Sequence, residues 1–455
     1  MIVMKFGGSS VADAERIRRM GEIIRTQLPR KPVLVLSAIG DTTDHLLEAA
    51  DLALRNRSVS IHLIESLHLK TMNDLGLGPA VQEAIHPLFV ELRSLLTGIS
   101  LIRELTGRTR DYLVSFGERL SVRITAAYFE AIGIKARPVD AWDAGFLSDA
   151  NYTFADLLPE TWERIPPALR PVIDEGILPV VTGFIAKDEN GNITTLGRGG
   201  SDLSATVIAA AFGAEEVQVW KDVDGILTAD PRLVRDARPV ESVTYEEAAE
   251  LAYFGAQVLH PRAMQPCMKT GTLVLVRNSF NADAPGTRIG TKSDKKTRPV
   301  QAITSRRDVT LVDIVSTRMV GQSGFLGKVF TCFAEHDLSV DMVATSEVSI
   351  SLTLDAVHDL AGLKRDLGRI ASVEIKTGKA IVTIIGDVHR SSQILQRAFG
   401  VCADLGIPVQ MVSLGASKVN ISFIVDDTQA GEVVKGLHKN YFEEPDEISG
   451  GGDQS

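Results

Sequence analysis

The sequence predicts an α/β fold over residues 1–290, followed by two smaller α+β units. In the first part, short apolar runs of strand length alternate with helical stretches, which is typical of a mainly parallel sheet covered by helices. A polar segment rich in Gly, Thr, Lys and Pro (Pro285 to Pro299) then separates this part from a pattern that occurs twice. A chain of 455 residues is also too long for one core, so we expect two or three domains.

Short apolar runs predict the strands of the first part, which are Ile2 to Met4, Val33 to Ser37, Ile177 to Thr182, Ile193 to Thr195 and Val217 to Trp220. Helical spacing of apolar residues predicts helices at Ala12 to Ile24, Asp44 to about Leu105, Glu118 to Ala131 and Leu203 to Phe212. Proline and glycine predict breaks in the longest helical region at Gly76–Pro79 and His86–Pro87.

The repeat after the polar segment is carried by apolar residues at constant spacing. Leu326, Phe330, Ala334, Val340 and Met342 recur as Leu395, Phe399, Ala403, Val409 and Met411. Each copy follows the order strand, loop, helix, strand, turn, strand. One copy is too small to bury its sheet well, so we expect the two copies to lie side by side.

Composition limits the classes of function that this chain can have. The net charge is −10, and the short basic segment from Lys292 to Arg298 resembles a solvated linker, so we expect no nucleic-acid partner. The three cysteines are far apart in the sequence, which argues against a disulfide framework. The N-terminus carries Lys5 in a strand, and no apolar run reaches membrane-spanning length. We therefore expect a cytoplasmic protein without a membrane partner.

The N-terminal strand runs directly into a lysine and two glycines. Lys5, Gly7 and Gly8 precede a predicted helix, and this order places backbone N–H groups and a point charge where they can bind an oxyanion. The pattern differs from the Walker motif, which has its Gly-Lys-Ser/Thr at the end of a longer loop. An ordinary tight turn is the alternative interpretation.

Three further segments carry charged residues beside glycines or at the start of a helix. Arg198 lies among three glycines and can form a fork of hydrogen bonds to a carboxylate, while Asp202 begins a helix, where it can also act as a simple cap. Lys221 and Asp222 follow a strand, at the edge where α/β folds bind ligands, although a charged surface loop is an alternative. Glu118 is predicted in the first turn of a helix, where its negative charge can interact favourably with the helix dipole or bind an ammonium group.

Taken together, these segments resemble the aspartate kinases of the amino-acid kinase superfamily. The resemblance is carried, in order, by Lys5-Phe-Gly-Gly-Ser-Ser, Ser115-Phe-Gly-Glu, Gly197-Arg-Gly-Gly-Ser-Asp, Lys221-Asp-Val-Asp-Gly-Ile and Phe254-Gly-Ala-Gln-Val-Leu-His-Pro. The repeat resembles the paired ACT regulatory domains of those enzymes. The resemblance implies an αβα sandwich at 1–290, a linker at 291–308, ACT domains at 309–378 and 379–444, and a disordered tail at 445–455. A strand at about 299–306 is expected to complete the second ACT domain.

The resemblance also implies the reaction and the residues that perform it. Aspartate kinases transfer the γ-phosphoryl group of Mg-ATP to the side-chain carboxylate of L-aspartate, the first step towards lysine, threonine and methionine. Lys5, Arg198 and Asp202 are the implied catalytic residues, and Mg²⁺ is expected to bridge the phosphates with few protein ligands. The implied substrate ligands are Ser37, Thr43, Glu118, Arg198 and Ser201. The implied ATP ligands are Lys5, Gly7, Gly8, Lys221, Asp222, Leu227, Asp230, Arg232 and Gln257.

Three positions depart from the commonest family pattern. Ser9 replaces a threonine, Asp44 stands where asparagine is frequent, and Gln257 stands where many relatives have a lysine that contacts phosphate. A neutral amide cannot replace that charge, so Lys221 is expected to carry more of it. Gln257 also occurs in some lysine-sensitive relatives, so it does not indicate loss of activity.

The resemblance further implies an amino-acid effector site in the first ACT domain. Its residues are expected to be Met319, Gln322, Gly324, Phe325, Leu326, Val340, Asp341, Ser346 and Glu347. The two acids suit a cationic effector such as lysine better than threonine alone, and Asp341→Ala is expected to abolish inhibition by lysine. ACT pairs also associate through their sheets, so we expect a homodimer or a larger homo-oligomer.

Two alternatives remain at this point. One is a kinase for glutamate or N-acetylglutamate, which the Glu118 motif and the ACT-like repeat disfavour. The other is a non-catalytic amino-acid sensor, which is disfavoured because Lys5, Arg198 and Asp202 occur together.

Overall fold

The structure is a computed structural model that describes residues 1–56, 58–254, 259–292, 298–319, 323–355, 360–414 and 418–443. It divides into two compact units. The first consists of Met1–Ile226, Glu241–Tyr245 and Val258–Asp294, and the second of Leu227–Val240, Glu246–Gln257 and Lys295–Ser455. Gln257, Gln322 and the predicted tail lie outside the described residues.

An eight-stranded sheet forms the centre of the first unit, in the order β3-β5-β2-β1-β8-β10-β11-β9. The strands up to residue 290 are β1 (Ile2–Phe6), β2 (Val33–Leu36), β3 (Ala136–Val139), β4 (Leu147–Ser148), β5 (Leu178–Thr182), β6 (Ile185–Asp188), β7 (Ile193–Thr195), β8 (Glu216–Lys221), β9 (Ser242–Thr244), β10 (Leu273–Asn278) and β11 (Thr287–Gly290). All neighbours in this sheet are parallel except β10 and β11. The predicted α/β class with a mainly parallel sheet is confirmed.

The helices up to residue 270 are α1 (Ala14–Gln27), α2 (Thr42–Asn56), α3 (His62–Asp74), α4 (Pro79–Ile102), α5 (Gly107–Ala131), α6 (Glu160–Asp174), α7 (Gly200–Phe212), α8 (Tyr245–Tyr253) and α9 (Pro261–Thr270). The core of the first unit lies between the sheet and helices α1 to α5, where Ile2, Met4 and Phe6 from β1 are fully buried. β1 is buried along its whole length because it lies between two parallel neighbours and is covered by helices.

Two predicted helix boundaries are wrong. The predicted break at His86–Pro87 is absent, because α4 continues through Pro87 and buries Leu88, Phe89 and Leu92 in the core. This burial offsets the hydrogen bond that a proline removes from the helix interior. Glu118 is not in a first turn either. α5 begins at Gly107, where the Thr106 hydroxyl accepts a hydrogen bond from the Thr109 N–H group and caps the helix.

The second unit contains one six-stranded antiparallel sheet in the order β13-β14-β12-β15-β17-β16. Its strands are β12 (Val300–Val315), β13 (Val340–Thr345), β14 (Ser349–Asp355), β15 (Ser372–Gly386), β16 (Met411–Ser413) and β17 (Asn420–Asp426). Its helices are α10 (Phe325–Glu335), α11 (Ala361–Leu367), α12 (Ser391–Asp404) and α13 (Asp427–His438). The expected pair of α+β copies therefore shares one sheet.

The two longest strands join the copies of the repeat. Residues 302–306 of β12 pair with residues 381–385 of β15, and residues 309–315 of β12 pair with β14. A register shift separates these two stretches of β12. Residues 300–308, within the expected linker, thus belong to a strand, and the expected extra strand at about 299–306 overlaps its first half.

One helix of the first unit has the length and composition of a membrane span. α4 is 24 residues long and apolar, and a third of its most apolar window is buried. Six of its apolar residues belong to the core of the first unit. Two of its charged residues form ion pairs, since Arg93 pairs with Glu65 at 2.8 Å and Glu91 pairs with Arg119 at 3.1 Å. Core packing accounts for these six buried residues, while Val90, Leu101 and Ile102 are exposed.

A neutral histidine is buried among helices α3 and α4. His68 is fully buried, its Nδ1 lies 2.7 Å from the carbonyl oxygen of Ile64, and its ring meets the Phe89 ring edge to face. Its Nε2 has no hydrogen-bond partner among the described residues. Burial lowers the pKa of His68 to about 4, since the charged imidazolium would lose its hydration.

His68 is expected to make stability depend on pH. The unfolded chain binds a proton at this residue below about pH 6.5 while the folded chain does not, so stability falls as the pH drops from that value towards 4. Between about pH 7.5 and about pH 5 the loss from this residue is about 2 kcal/mol. Urea unfolding of the wild type and His68→Leu at both pH values tests this. The wild type should lose more stability than the variant, and equal losses would contradict the prediction.

Candidate active site

A cavity of about 520 Å³ opens at the carboxyl ends of the central parallel strands of the first unit. Its lining includes Lys5, Gly8, Ser37, Ala38, Gly40, Thr43, Glu118, Phe184, Gly197, Arg198, Gly199, Gly200, Ser201 and Asp202. Every substrate and catalytic residue that the sequence singled out is in this group. Ala38, Gly40 and Phe184 also line the cavity but were not predicted, because they have no chemical signature of their own.

An ion pair lies in the wall of the cavity. Lys5 Nζ is 2.6 Å from a carboxylate oxygen of Asp202, and only 9% of each side chain is exposed. Lys5 reaches this position from the carboxyl end of β1, and Asp202 from the first turn of α7, as predicted. Burial favours a higher pKa for Asp202, but the charges of Lys5 and Lys221 outweigh it and hold the pKa below its ordinary value. Asp202 is therefore ionised.

A second lysine approaches the same carboxylate from the neighbouring strand. Lys221 ends β8, which pairs with β1 so that Lys5 lies opposite Val219. Burial lowers the pKa of Lys221, the charge of Asp202 opposes this, and the charge of Lys5 adds to it. The charges of two lysines thus act on one buried carboxylate, which places positive charge beside the cavity.

Glu118 is placed by the close approach of α5 to the segment that follows β2. A Cβ atom on Gly117 would lie 2.7 Å from the Cβ of Ala38, so only glycine fits this contact. Glu118 is 3% exposed, and its Oε1 accepts a hydrogen bond from the Ala38 N–H group at 3.3 Å. Its Oε2 has no hydrogen-bond partner among the described residues. Burial raises the pKa of Glu118 to about 8.

The loop between β7 and α7 holds Arg198 at the mouth of the cavity. Gly197 and Gly199 both have positive φ angles, +72° and +74°, which glycine adopts without strain. Arg198 is exposed and has no ion-pair partner within the described ranges. In the cavity lining, the Ser37 hydroxyl donates a hydrogen bond to the Ser201 hydroxyl at 3.0 Å. An arginine, a buried carboxyl and two hydroxyls therefore face one space, a set that suits an amino acid.

The Gly7–Gly8 segment is tied to the end of β8 through two serines. Ser10 Oγ lies 2.9 Å from Ser279 Oγ, and Ser279 Oγ donates to the carbonyl oxygen of Lys221 at 2.9 Å. Ser10 Oγ also donates to the carbonyl oxygen of Trp220 at 3.3 Å. Neither serine was predicted, because Ser279 carries no motif and lies far from Ser10 in the sequence. These hydrogen bonds hold Gly7 and Gly8 close to Lys5 and Lys221.

The remaining predicted ATP ligands are not part of the described cavity lining. Asp222 is exposed at the end of β8 in the first unit. Leu227, Asp230 and Arg232 belong to the second unit, where Arg232 forms an ion pair with Asp230 at 2.6 Å. This pair lowers the pKa of Asp230. The part of these residues in nucleotide binding stays a prediction.

The predicted effector residues lie at one end of α10 and along β13. Met319 ends a short helical turn, Gly324 (φ +82°) precedes α10, and Phe325 and Leu326 begin it. Val340 and Asp341 begin β13. The Ser346 hydroxyl accepts hydrogen bonds from the N–H groups of Val348 and Ser349 in the turn that follows β13, and Glu347 is exposed there.

The two acids of the predicted effector site are not neighbours within one chain. Asp341 and Glu347 lie at opposite ends of β13, and at about 3.3 Å per residue their backbones are roughly 15–20 Å apart. The Asp341 carboxylate lies 3.4 Å from Arg306 and accepts a hydrogen bond from the Tyr253 hydroxyl. Burial raises the pKa of Tyr253 to about 12, with a contribution from Asp341. Asp341 thus already has a cationic neighbour.

The described residues contain no group of three or more His, Cys, Asp or Glu side chains that could hold a metal ion. Asp202 is the one ionised carboxylate in the described cavity lining, and it is paired with Lys5. This donor set fits a magnesium ion that is carried mainly by phosphate oxygens and water.

Two family models match the chain. The amino acid kinase family matches residues 1–278, and an ACT domain model matches residues 312–359 and 382–441. Among curated proteins, the chain is 48% identical to aspartokinase 1, chloroplastic, of Arabidopsis thaliana, over 98% of this chain and 80% of that protein. It is 33% identical to lysine-sensitive aspartokinase 3 of Escherichia coli, over 97% of this chain and 99% of that protein.

Solved structures of the E. coli protein are similar along the whole chain. The complex of aspartokinase III with aspartate and ADP, in its R-state, has a TM-score of 0.82 at 31% identity, covering 97% of this chain and all of that one. The complex with lysine and aspartate, in its T-state, has a TM-score of 0.80 at 32% identity, covering 97% and 99%.

Proposed function

The chain belongs to the aspartokinases of the amino acid kinase family, and we propose from its cavity how it performs their reaction. It transfers the γ-phosphoryl group of ATP to the side-chain carboxylate of L-aspartate and forms 4-phospho-L-aspartate. The observation that carries the proposal is the cavity itself, whose lining brings together Arg198, the buried carboxyl of Glu118 and the Lys5–Asp202 ion pair. Residues 1–290 form the catalytic domain in this proposal, and 309–378 and 379–444 form the ACT domains.

Phosphoryl transfer in this cavity depends on charge stabilisation rather than on proton abstraction. The acceptor carboxylate is ionised at neutral pH, so the reaction needs no general base. The obstacle is the repulsion between that anion and the polyphosphate. Lys5 binds the transferred phosphoryl group with the Gly7 and Gly8 N–H groups beside it, and Asp202 holds Lys5 in place.

The two ends of aspartate are bound by opposite charges. Arg198 binds the α-carboxylate, and Glu118 binds the ammonium group with its unpartnered Oε2. Ser37, Thr43 and Ser201 add hydroxyl contacts. This arrangement leaves the side-chain carboxylate directed towards Lys5, the one orientation in which it can accept a phosphoryl group.

The nucleotide lies against the carboxyl end of β8. Lys221, which ends the strand, and Asp222, which follows it, contact the nucleotide. Leu227, Asp230, Arg232 and Gln257 are the other proposed ATP ligands. When bound with ATP, Mg²⁺ neutralises phosphate charge. Since Gln257 is neutral, Lys221 supplies the charge that a lysine at that position would add.

Lysine is the proposed effector, since E. coli aspartokinase 3 is named lysine-sensitive and was solved with lysine. Asp341 binds one of the lysine ammonium groups in competition with Arg306. Gly324 and Phe325, at the start of α10, offer free N–H groups to the effector carboxylate. Threonine is a weaker candidate because it lacks the second cation.

The assembly is a homodimer or a larger homo-oligomer. The support for this is that Asp341 and Glu347 are too far apart in one chain to hold the same small molecule. Two copies can bring Asp341 of one chain near Glu347 of the other. Sedimentation of the purified protein as a monomer, with and without lysine, would contradict the proposal.

The reaction is tested by ADP release from Mg-ATP with aspartate, glutamate or N-acetylglutamate as the acceptor. We expect turnover with aspartate only. Turnover with either of the other acids would assign a different acceptor, and no turnover with any of them would favour a non-catalytic sensor. Phosphorus NMR spectroscopy of the product distinguishes an acyl phosphate from inorganic phosphate. Detection of the acyl phosphate would exclude simple ATP hydrolysis as the source of ADP.

Glu118 is expected to make aspartate binding pH-dependent. Below about pH 8 its carboxyl is protonated in the free enzyme and must lose that proton to pair with the substrate ammonium. The KM for aspartate should therefore fall by up to about tenfold per pH unit as the pH rises from about 6, and level off near 8. Glu118→Gln should have a high KM without this slope. A wild-type KM that is flat over this range would contradict the assignment.

Asp341→Asn is expected to raise the lysine concentration for half-inhibition by at least about tenfold, because the variant loses a charge partner for the effector. The basal kcat should stay within about twofold. Asp355→Asn is the matched control, since Asp355 is exposed and pairs with the same Arg306. Equal lysine sensitivity of wild type and Asp341→Asn would contradict the effector assignment.

A further inference from the structure

The first turn of α9 lies against the glycine loop that carries Arg198, and the mechanism above gives it no role. His260 caps α9, and its Nδ1 accepts a hydrogen bond from the Arg262 N–H group at 3.3 Å. A Cβ atom on Gly199 would lie 2.6 Å from the Cβ of His260. The loop therefore rests directly on the start of this helix.

The Arg262 side chain extends from α9 to the residue that precedes the loop. Its Nη1 donates to the carbonyl oxygen of Leu196 at 2.6 Å, directly before Gly197. Its Nη2 donates to Asp156 at 2.6 Å and also to the carbonyl oxygen of Ala155. Only 16% of the side chain is exposed. A guanidinium fork can make these bonds together, whereas a lysine ammonium has no such fixed plane.

The same guanidinium also holds the aromatic ring on which the loop packs. Arg262 lies 4.5 Å from the centroid of the Phe154 ring. A Cβ atom on Gly197 would lie 2.4 Å from that ring, so Phe154 contacts the backbone of the loop. Arg262 thus fixes the loop through the carbonyl group before it and through the ring beside it.

We propose that Arg262 is a positioning residue for aspartate binding. It orders residues 197–200 before the substrate arrives, so that the Arg198 guanidinium already faces the space that the α-carboxylate enters. The inference rests on the proposed function, which assigns Arg198 to that carboxylate. Without Arg262 the substrate must order the loop when it binds. The free energy of this ordering weakens aspartate binding, so it raises the KM for aspartate and not the KM for ATP.

The test compares Arg262→Ala and Arg262→Lys with the wild type. We expect the KM for aspartate to rise about tenfold in Arg262→Ala, with the KM for ATP nearly unchanged. Arg262→Lys should be intermediate, and added guanidinium ion should lower the KM of Arg262→Ala towards the wild-type value. Arg30→Ala is the matched control. It removes an arginine that binds Glu215 and Glu216 at 2.9 Å and 2.6 Å, near the amino end of β8.

The outcomes separate this inference from the proposed function. An unchanged aspartate KM in Arg262→Ala, while Arg198→Gln raises it, would overturn the positioning role alone. Equal increases of both KM values, with a lowered unfolding midpoint, would mean that Arg262 is only structural. A wild type without aspartate turnover would overturn the proposed function itself. If Arg262→Ala does not fold, Arg262→Lys decides, and a wild-type KM for aspartate in that variant would overturn the inference.

Discussion

The buried ion pair between Lys5 and Asp202 is the interaction on which the rest of the active site depends. Removing two charges from water costs several kcal/mol for each ion, so this pair persists only because its geometry is close and its surroundings are polar. Lys221 adds a second cation to the same environment. Both lysines thus place positive charge beside the cavity, where a polyphosphate can bind. The close Lys5–Asp202 contact offsets the cost of burying the two ions, and the positive charge explains why the nucleotide should bind there.

Glycine contacts set the distances around this pair. Gly117 lets α5 approach Ala38 closely enough for Glu118 to reach the cavity, and Gly199 lets the Arg198 loop rest on α9. In both places a side chain would push apart two elements that are distant in the sequence. The catalytic geometry is therefore built from close backbone packing, and the charged residues occupy positions that this packing defines.

The sequence predicted the parallel sheet, the α+β repeat and the charged and hydroxyl residues of the cavity, because strand periodicity and glycine motifs are local signals. Prediction from the sequence failed where contacts between distant parts of the chain determine the local structure. Pro87 does not break α4, since core burial outweighs a lost hydrogen bond, and Glu118 lies inside a longer α5 because the cap is at Thr106. Ser279 and Arg262 act through partners elsewhere in the chain, and no local pattern distinguishes them from ordinary polar residues. Within one chain, β13 also separates the two acids that the effector hypothesis had combined.

The central claim is that Asp202 holds Lys5 in the position that stabilises the transferred phosphoryl group. The most direct measurement is the single-turnover rate of phosphoryl transfer in Asp202→Asn at saturating ATP and aspartate, since the amide keeps the shape of the side chain and removes its charge. The account predicts a rate at least about 100-fold below the wild type, with both substrates still bound. A rate within about threefold of the wild type would contradict it.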